Sequence, residues 1–140
     1  MKNTFPDHNQ ISVVSTFSEL VNSNFQREMN AICWSRHLVG DFKEIVAKLD
    51  LKENITEVSI EDLLVLQLSK KGHLAREMIL RDMQLLTDFV ASPSLNLLKS
   101  YEQDEYLDFI STDVYSYHVD RAPIETDTFL CTYHGAASEI

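Results

Sequence analysis

The sequence predicts an α+β fold, N-terminal helices followed by antiparallel strands, and two observations predict it. From about residue 41 to residue 90, apolar side chains recur at the three- and four-residue spacing that lines one face of a helix. After Pro93 that spacing fades, and aromatic and β-branched residues, which fit a pleated surface, become frequent. Helices gathered in one half and strands in the other is the α+β pattern. A chain of 140 residues, 44% of them hydrophobic, matches one domain able to bury a core without disulfides or a structural metal. The expected layout is a single domain, 1–140, with a loosely held arm over 1–10, a mainly helical part over 11–92 and a β-rich part over 93–140.

The arm is polar and contains Pro6. Residues 18–29 are weakly helical. Residues 31–34, Ala-Ile-Cys-Trp, are apolar and β-prone, which puts the single tryptophan in a short strand or packed turn at the core. Asp41 can cap a helix, with Glu44 three residues later as its capping-box partner, and Phe42, Ile45, Val46 and Leu49 then share a face. Ser59 with Asp62 marks the start of a second helix carrying Leu63, Leu64, Leu66 and Leu68. Gly72 is expected to separate it from a third, over 73–90. That third helix lines up Ala75, Met78, Ile79, Met83, Leu86, Phe89 and Val90 on one stripe, and Pro93 stops it. Residues 114–121 and 127–134 read as two strands of a hairpin joined by the loop 122–126.

Composition narrows the function. The formal net charge is -10, and from Tyr101 to Ile140 nine acidic residues face one basic residue, Arg121. Such a segment repels phosphate backbones and excludes a nucleic-acid binder, whereas cations are its natural ligands. The longest apolar runs, such as 63–66, fall far short of the roughly 20 residues that span a bilayer. Residues 1–10 hold charges where a secretory signal would have an apolar core, so the expectation is no membrane and a cytoplasmic location. Cys33 and Cys131 are too far apart, in unrelated contexts, to be read as a disulfide framework or a zinc knuckle, and are expected to be buried thiols. Serine-nucleophile, phosphate-loop and H-E-x-x-H motifs are absent.

One constellation carries candidate chemistry: His118-Val119-Asp120. Side chains two apart on a strand point the same way, so His118 and Asp120 would project together. An imidazole nitrogen and a carboxylate oxygen, joined by one more histidine, form the facial triad of non-haem iron(II) oxygenases, and similar ligands suit zinc or manganese. The plain alternative is a histidine paired with a carboxylate on an exposed strand face. His134 is the one later histidine. With Arg121 opposite Asp127, however, His134 lies about four residues, roughly 13 Å, along the strands from His118. It would reach the site through a bulge, another register or a neighbouring chain. Arg121 could hold an anionic co-substrate, or pair with Glu125 or Asp127.

Tyr117-His118-Val119-Asp120-Arg121, followed by Phe129-Leu130-Cys131-Thr132-Tyr133-His134-Gly135, resembles an uncharacterised bacterial family, the domain of unknown function eighteen twenty-six. That family combines an upstream tryptophan and arginine, F-H-x-D, and L-x-C-T-Y-x-G-P-G-T-E. Trp34-Ser35-Arg36 fits the first element, and Gly135-Ala136-Ala137-Ser138-Glu139 is a degenerate form of the last. The family is often encoded near zinc-homeostasis GTPases, and its H-x-D resembles the metal centre of cupin-like, jelly-roll dioxygenases. The resemblance therefore implies a jelly-roll sheet, a divalent metal (Fe, Mn or Zn) and, in a longer form, a metal-dependent oxygenase. The family continues past this point to a distal histidine followed by arginine, so the expectation here is a truncated member with an incomplete site. A sheet left unfinished would keep an open edge and self-associate through residues 128–135, giving a homo-oligomer and a second, non-enzymatic reading as an interaction module.

Overall fold

The structure, a computed structural model, describes residues 10–26, 28–89, 91–98 and 126–135. The expected strand 114–121 lies outside these, and with it His118, Asp120 and Arg121. Helices and strands mix, so the fold is α+β. The elements interleave, however, rather than segregating into a helical half and a β half. Their order is β1 (Ile11–Val14), α1 (Phe17–Asn22), β2 (Ala31–Trp34), α2 (Phe42–Lys48), β3 (Ile55–Val58), α3 (Ile60–Leu64), α4 (Lys70–Asp88) and β4 (Leu95–Leu98). Two compact units divide between Leu38 and Val39.

In the first unit β1 and β2 pair in parallel, Ile11 opposite Ala31 through Val14 opposite Trp34. A parallel pair needs a crossover of a dozen or more residues, and the chain between the strands supplies it with α1. Thr16 caps that helix in a full capping box: its hydroxyl accepts from the Glu19 amide at 3.1 Å, and the Glu19 carboxylate accepts from the Thr16 amide at 3.1 Å. Residues in register share a face, so Val14, Ile32 and Trp34 look to one side, where Phe17 of α1 meets the Trp34 ring at 5.9 Å. Ile11, Val13, Ala31 and Cys33 form the other side.

The second unit holds every buried apolar residue among those described: Phe42, Ile45, Val58, Leu63, Ala75 and Ile79. Asp41 caps α2 as expected, accepting from the Glu44 amide at 3.0 Å, while its own amide donates to the Lys71 carbonyl at 2.9 Å. Gly40, just before, has φ +125°, and a Cβ there would lie 2.6 Å from the Ala75 Cα and 2.8 Å from its Cβ. Only glycine lets this turn rest directly on α4. Phe42 and Ile45 point inward. Val46, expected beside them, sits on the shoulder of the helix and is 37% exposed.

Ser59 and Asp62 form the expected start of α3 as a complete capping box, and Leu63 is fully enclosed. Helix α4 begins earlier than expected. Ser69 caps it, accepting from the Gly72 amide at 3.1 Å, so Gly72 lies in the first turn and breaks nothing. Ala75, Ile79 and Asp82 make its innermost line, with Met78, Met83 and Leu86 half-buried. Phe89, expected in the core, follows the last helical residue as the C-cap and is 44% exposed. Beyond Pro93, β4 returns antiparallel to β3, with Val58 opposite Leu95 and Thr56 opposite Leu97 on the covered face.

The expected strand 127–134 is corrected. That segment is irregular backbone bending at Tyr133–Gly135, because its aromatic side chains dock on helices instead of its amides pairing in a ladder.

Candidate functional site

The junction of α2 and α4 is organised by one carboxylate. Glu44 sits on the inward side of α2, its side chain mostly covered. It accepts from the Ser69 amide at 2.8 Å, from the Ser69 hydroxyl at 2.6 Å and from the Lys48 ammonium at 2.9 Å. Lys48 also donates to the Gln67 carbonyl. The Ser69 hydroxyl, the Ser69 amide and Lys48, in that order, hold the Glu44 carboxyl down to about 2. Gly72 makes room for it, since a Cβ there would fall 2.9 Å from the Glu44 carboxyl carbon. Glu44 thus completes the cap of the next helix, not of its own.

Above this junction lies an aromatic seat. Tyr133 stacks on Phe42, ring centroids 5.3 Å apart and planes 16° from parallel, and its hydroxyl donates to the Asp82 carboxylate at 2.6 Å. Asp82 is 8% exposed on the innermost line of α4. A buried carboxyl needs hydrogen-bond partners, and the phenol of Tyr133 supplies one. Phe129, four residues earlier, meets Phe89 edge to face at 5.9 Å. Between the two anchors Leu130, Cys131 and Thr132 face solvent. Asp82 was hidden in the sequence within an apolar stripe, and an acid at a core position of a helix is the signal that could have found it.

At the far end of α3, Arg76 donates to the carbonyls of Leu63, Leu64 and Leu66 at 3.1, 3.2 and 3.4 Å, satisfying acceptors that the helix end leaves open. Its second nitrogen lies 2.8 Å from His73 Nδ1.

In the first unit, Trp34 is held by an indole bond to the Ser15 carbonyl at 3.1 Å, and the Arg36 guanidinium lies 4.3 Å from its ring centre. Burial pushes the Cys33 thiol up, away from the reactive thiolate. The expectation of two buried thiols fails: Cys33 is half-buried and Cys131, carried on the irregular strip, is exposed.

Of the sequence-predicted ligands, His134 alone is described, exposed in the bend next to Tyr133. Among the described residues no three histidine, cysteine, aspartate or glutamate side chains gather closely enough to hold a metal ion, so the donor set is not assembled from them. Nor is any described helix long and apolar enough to cross a membrane. Compared with known protein families, with curated proteins and with solved structures, the chain matches none.

Proposed function

We propose that the protein is a non-enzymatic interaction module that self-associates by strand addition at the β1–β2 pair. The observation that carries this reading is that pair's mismatch between composition and cover. Seven of its eight residues are apolar, Ser12 being the exception, as in parallel strands packed on both faces. Yet none of the eight is fully buried, Val13 is 52% exposed, and the ring contact from α1 falls on the Trp34 face. Among the described residues the sheet has two strands, and none of those residues adds a third strand at either outer edge. Unpaired edges recruit strands. Light scattering on size-exclusion chromatography tests it: the wild type forms a concentration-dependent dimer, and Val13→Lys, a charge set on the strand, shifts the dimer to monomer. A wild type that stays a sharp monomer at high micromolar concentration contradicts it.

A second reading is favoured by the His118-Val119-Asp120 spacing and the acidic segment around it. In it, His118 and Asp120 hold a divalent cation (Fe, Mn or Zn) on a jelly-roll-like sheet, with His134 from the same or a neighbouring chain, in a cytoplasmic protein linked to metal homeostasis. Arg121 would then hold an anionic co-substrate, and a longer form would act as an oxygenase. A ligand that binds only the folded state raises the melting temperature. On this reading zinc, manganese or iron stabilises the wild type, and stabilisation is lost in His118→Ala and Asp120→Ala. Equal stabilisation of all three proteins removes the site.

A further inference from the structure

We infer that the α2–α4 face built by Phe42, Asp82 and Phe89 is a docking site for an aromatic-x-x-x-tyrosine segment, filled here by the chain's own Phe129 to Tyr133 and able to take the same segment of a second copy. Three features set this contact apart from ordinary core packing.

The segment has no regular secondary structure, so side chains rather than ladder hydrogen bonds give it its place. Two of those side chains, at i and i+4, each find an aromatic partner on the helical face: Phe129 on Phe89 and Tyr133 on Phe42. The three residues between them are exposed, Leu130 at 80%. The two rings therefore anchor the strip at a fixed spacing, as in a short linear motif. The polar group at the deeper point discriminates, because Asp82 is 8% exposed and receives the phenol hydroxyl at 2.6 Å. A phenylalanine would fit the stack and leave that bond unmade.

Twenty-seven residues separate the last described residue of β4, Leu98, from Thr126. At about 3.3 Å per residue that length corresponds to at most about 90 Å of chain. Exchange of an identical segment is a low-cost route to a dimer. This site uses none of the residues of the β1–β2 pair and does not depend on strand addition there.

The test uses a fluorescein-labelled peptide of residues 126–135 and the full chain. In the wild type the resident strip competes at an effective concentration in roughly the millimolar range, so peptide binding is weak. Tyr133→Phe in the protein, which keeps the ring and loses the bond to the buried carboxylate, loosens the resident strip and raises peptide affinity roughly tenfold. Phe129→Ala combined with Tyr133→Ala raises it further, with circular dichroism confirming that the helices persist. A peptide carrying phenylalanine at its tyrosine position binds about tenfold more weakly than the tyrosine peptide, and Val13→Lys in the protein changes none of these affinities. Equal peptide affinity for the wild type and Tyr133→Phe, or for the tyrosine and phenylalanine peptides, overturns the assignment. The Tyr133→Phe comparison stands even if the double variant fails to fold.

Discussion

At the scale of single residues, the second unit is governed by a few polar groups placed where carbon would otherwise be expected. Glu44 is the sharpest case. Its carboxyl ordinarily titrates at 4.5 and is held to about 2 in the folded chain. A lowered folded value means that its contribution to stability is present above 4.5 and is lost as pH falls toward 2. Acid unfolding followed by circular dichroism should therefore show a steeper loss between those values for the wild type than for Glu44→Gln. Gly72→Ala places a methyl 2.9 Å from the Glu44 carboxyl carbon and 3.0 Å from the Leu68 Cβ. Despite alanine's better helix propensity, it should cost about 1–3 kcal/mol in urea denaturation, as overpacking does. Spacing alone gave Glu44 its place in the first turn of α2 but assigned its carboxylate to Asp41. A partner 25 residues away, Ser69, leaves no trace in local spacing. Asp82 and Tyr133, 51 residues apart, are hidden for the same reason.

At the scale of elements, helix starts were legible because capping is local chemistry. Asp41 and Ser59 both cap where the sequence says they should. Ser69 was masked by Gly72, whose usual meaning as a breaker was overridden by a carboxylate that needs the missing Cβ. The strand Ala31–Trp34 was legible from its unbroken apolar, β-prone composition, whereas Ile11–Val14 and Ile55–Val58, equally short, are interrupted by polar residues and too short for alternation to declare them. Composition misled at 127–134, where aromatic residues serve as anchors on helices instead of members of a ladder. Periodicity ranked the helix faces well except at their margins. Leu63→Ala, emptying a fully enclosed position, should lose about 2–5 kcal/mol. Val46→Ala, on the shoulder of α2, should stay within about 0.5 kcal/mol. Chemical denaturation of the two variants measures both, and similar losses would mean that α2 and α3 pack differently.

At the scale of the whole molecule, cover is unevenly distributed. The unit beginning at Val39 contains the described apolar core, while the unit ending at Leu38 contains no fully buried residue among those described. A parallel pair of four-residue strands with no fully buried residue is a poor free-standing object, since parallel sheets are found almost only with both faces covered. Self-association is opposed by the net charge of -10, so the dimer should tighten as salt is raised and the mutual repulsion is screened. The His118 and Asp120 reading is a separate matter of local spacing and does not bear on this claim. Backbone amide hydrogen exchange, followed from low to high micromolar protein, tests strand addition most directly. With strand addition, protection at Ile11–Val14 and Ala31–Trp34 rises with concentration while protection within Lys70–Asp88 stays constant. Exchange at both strands that does not change with concentration would contradict it.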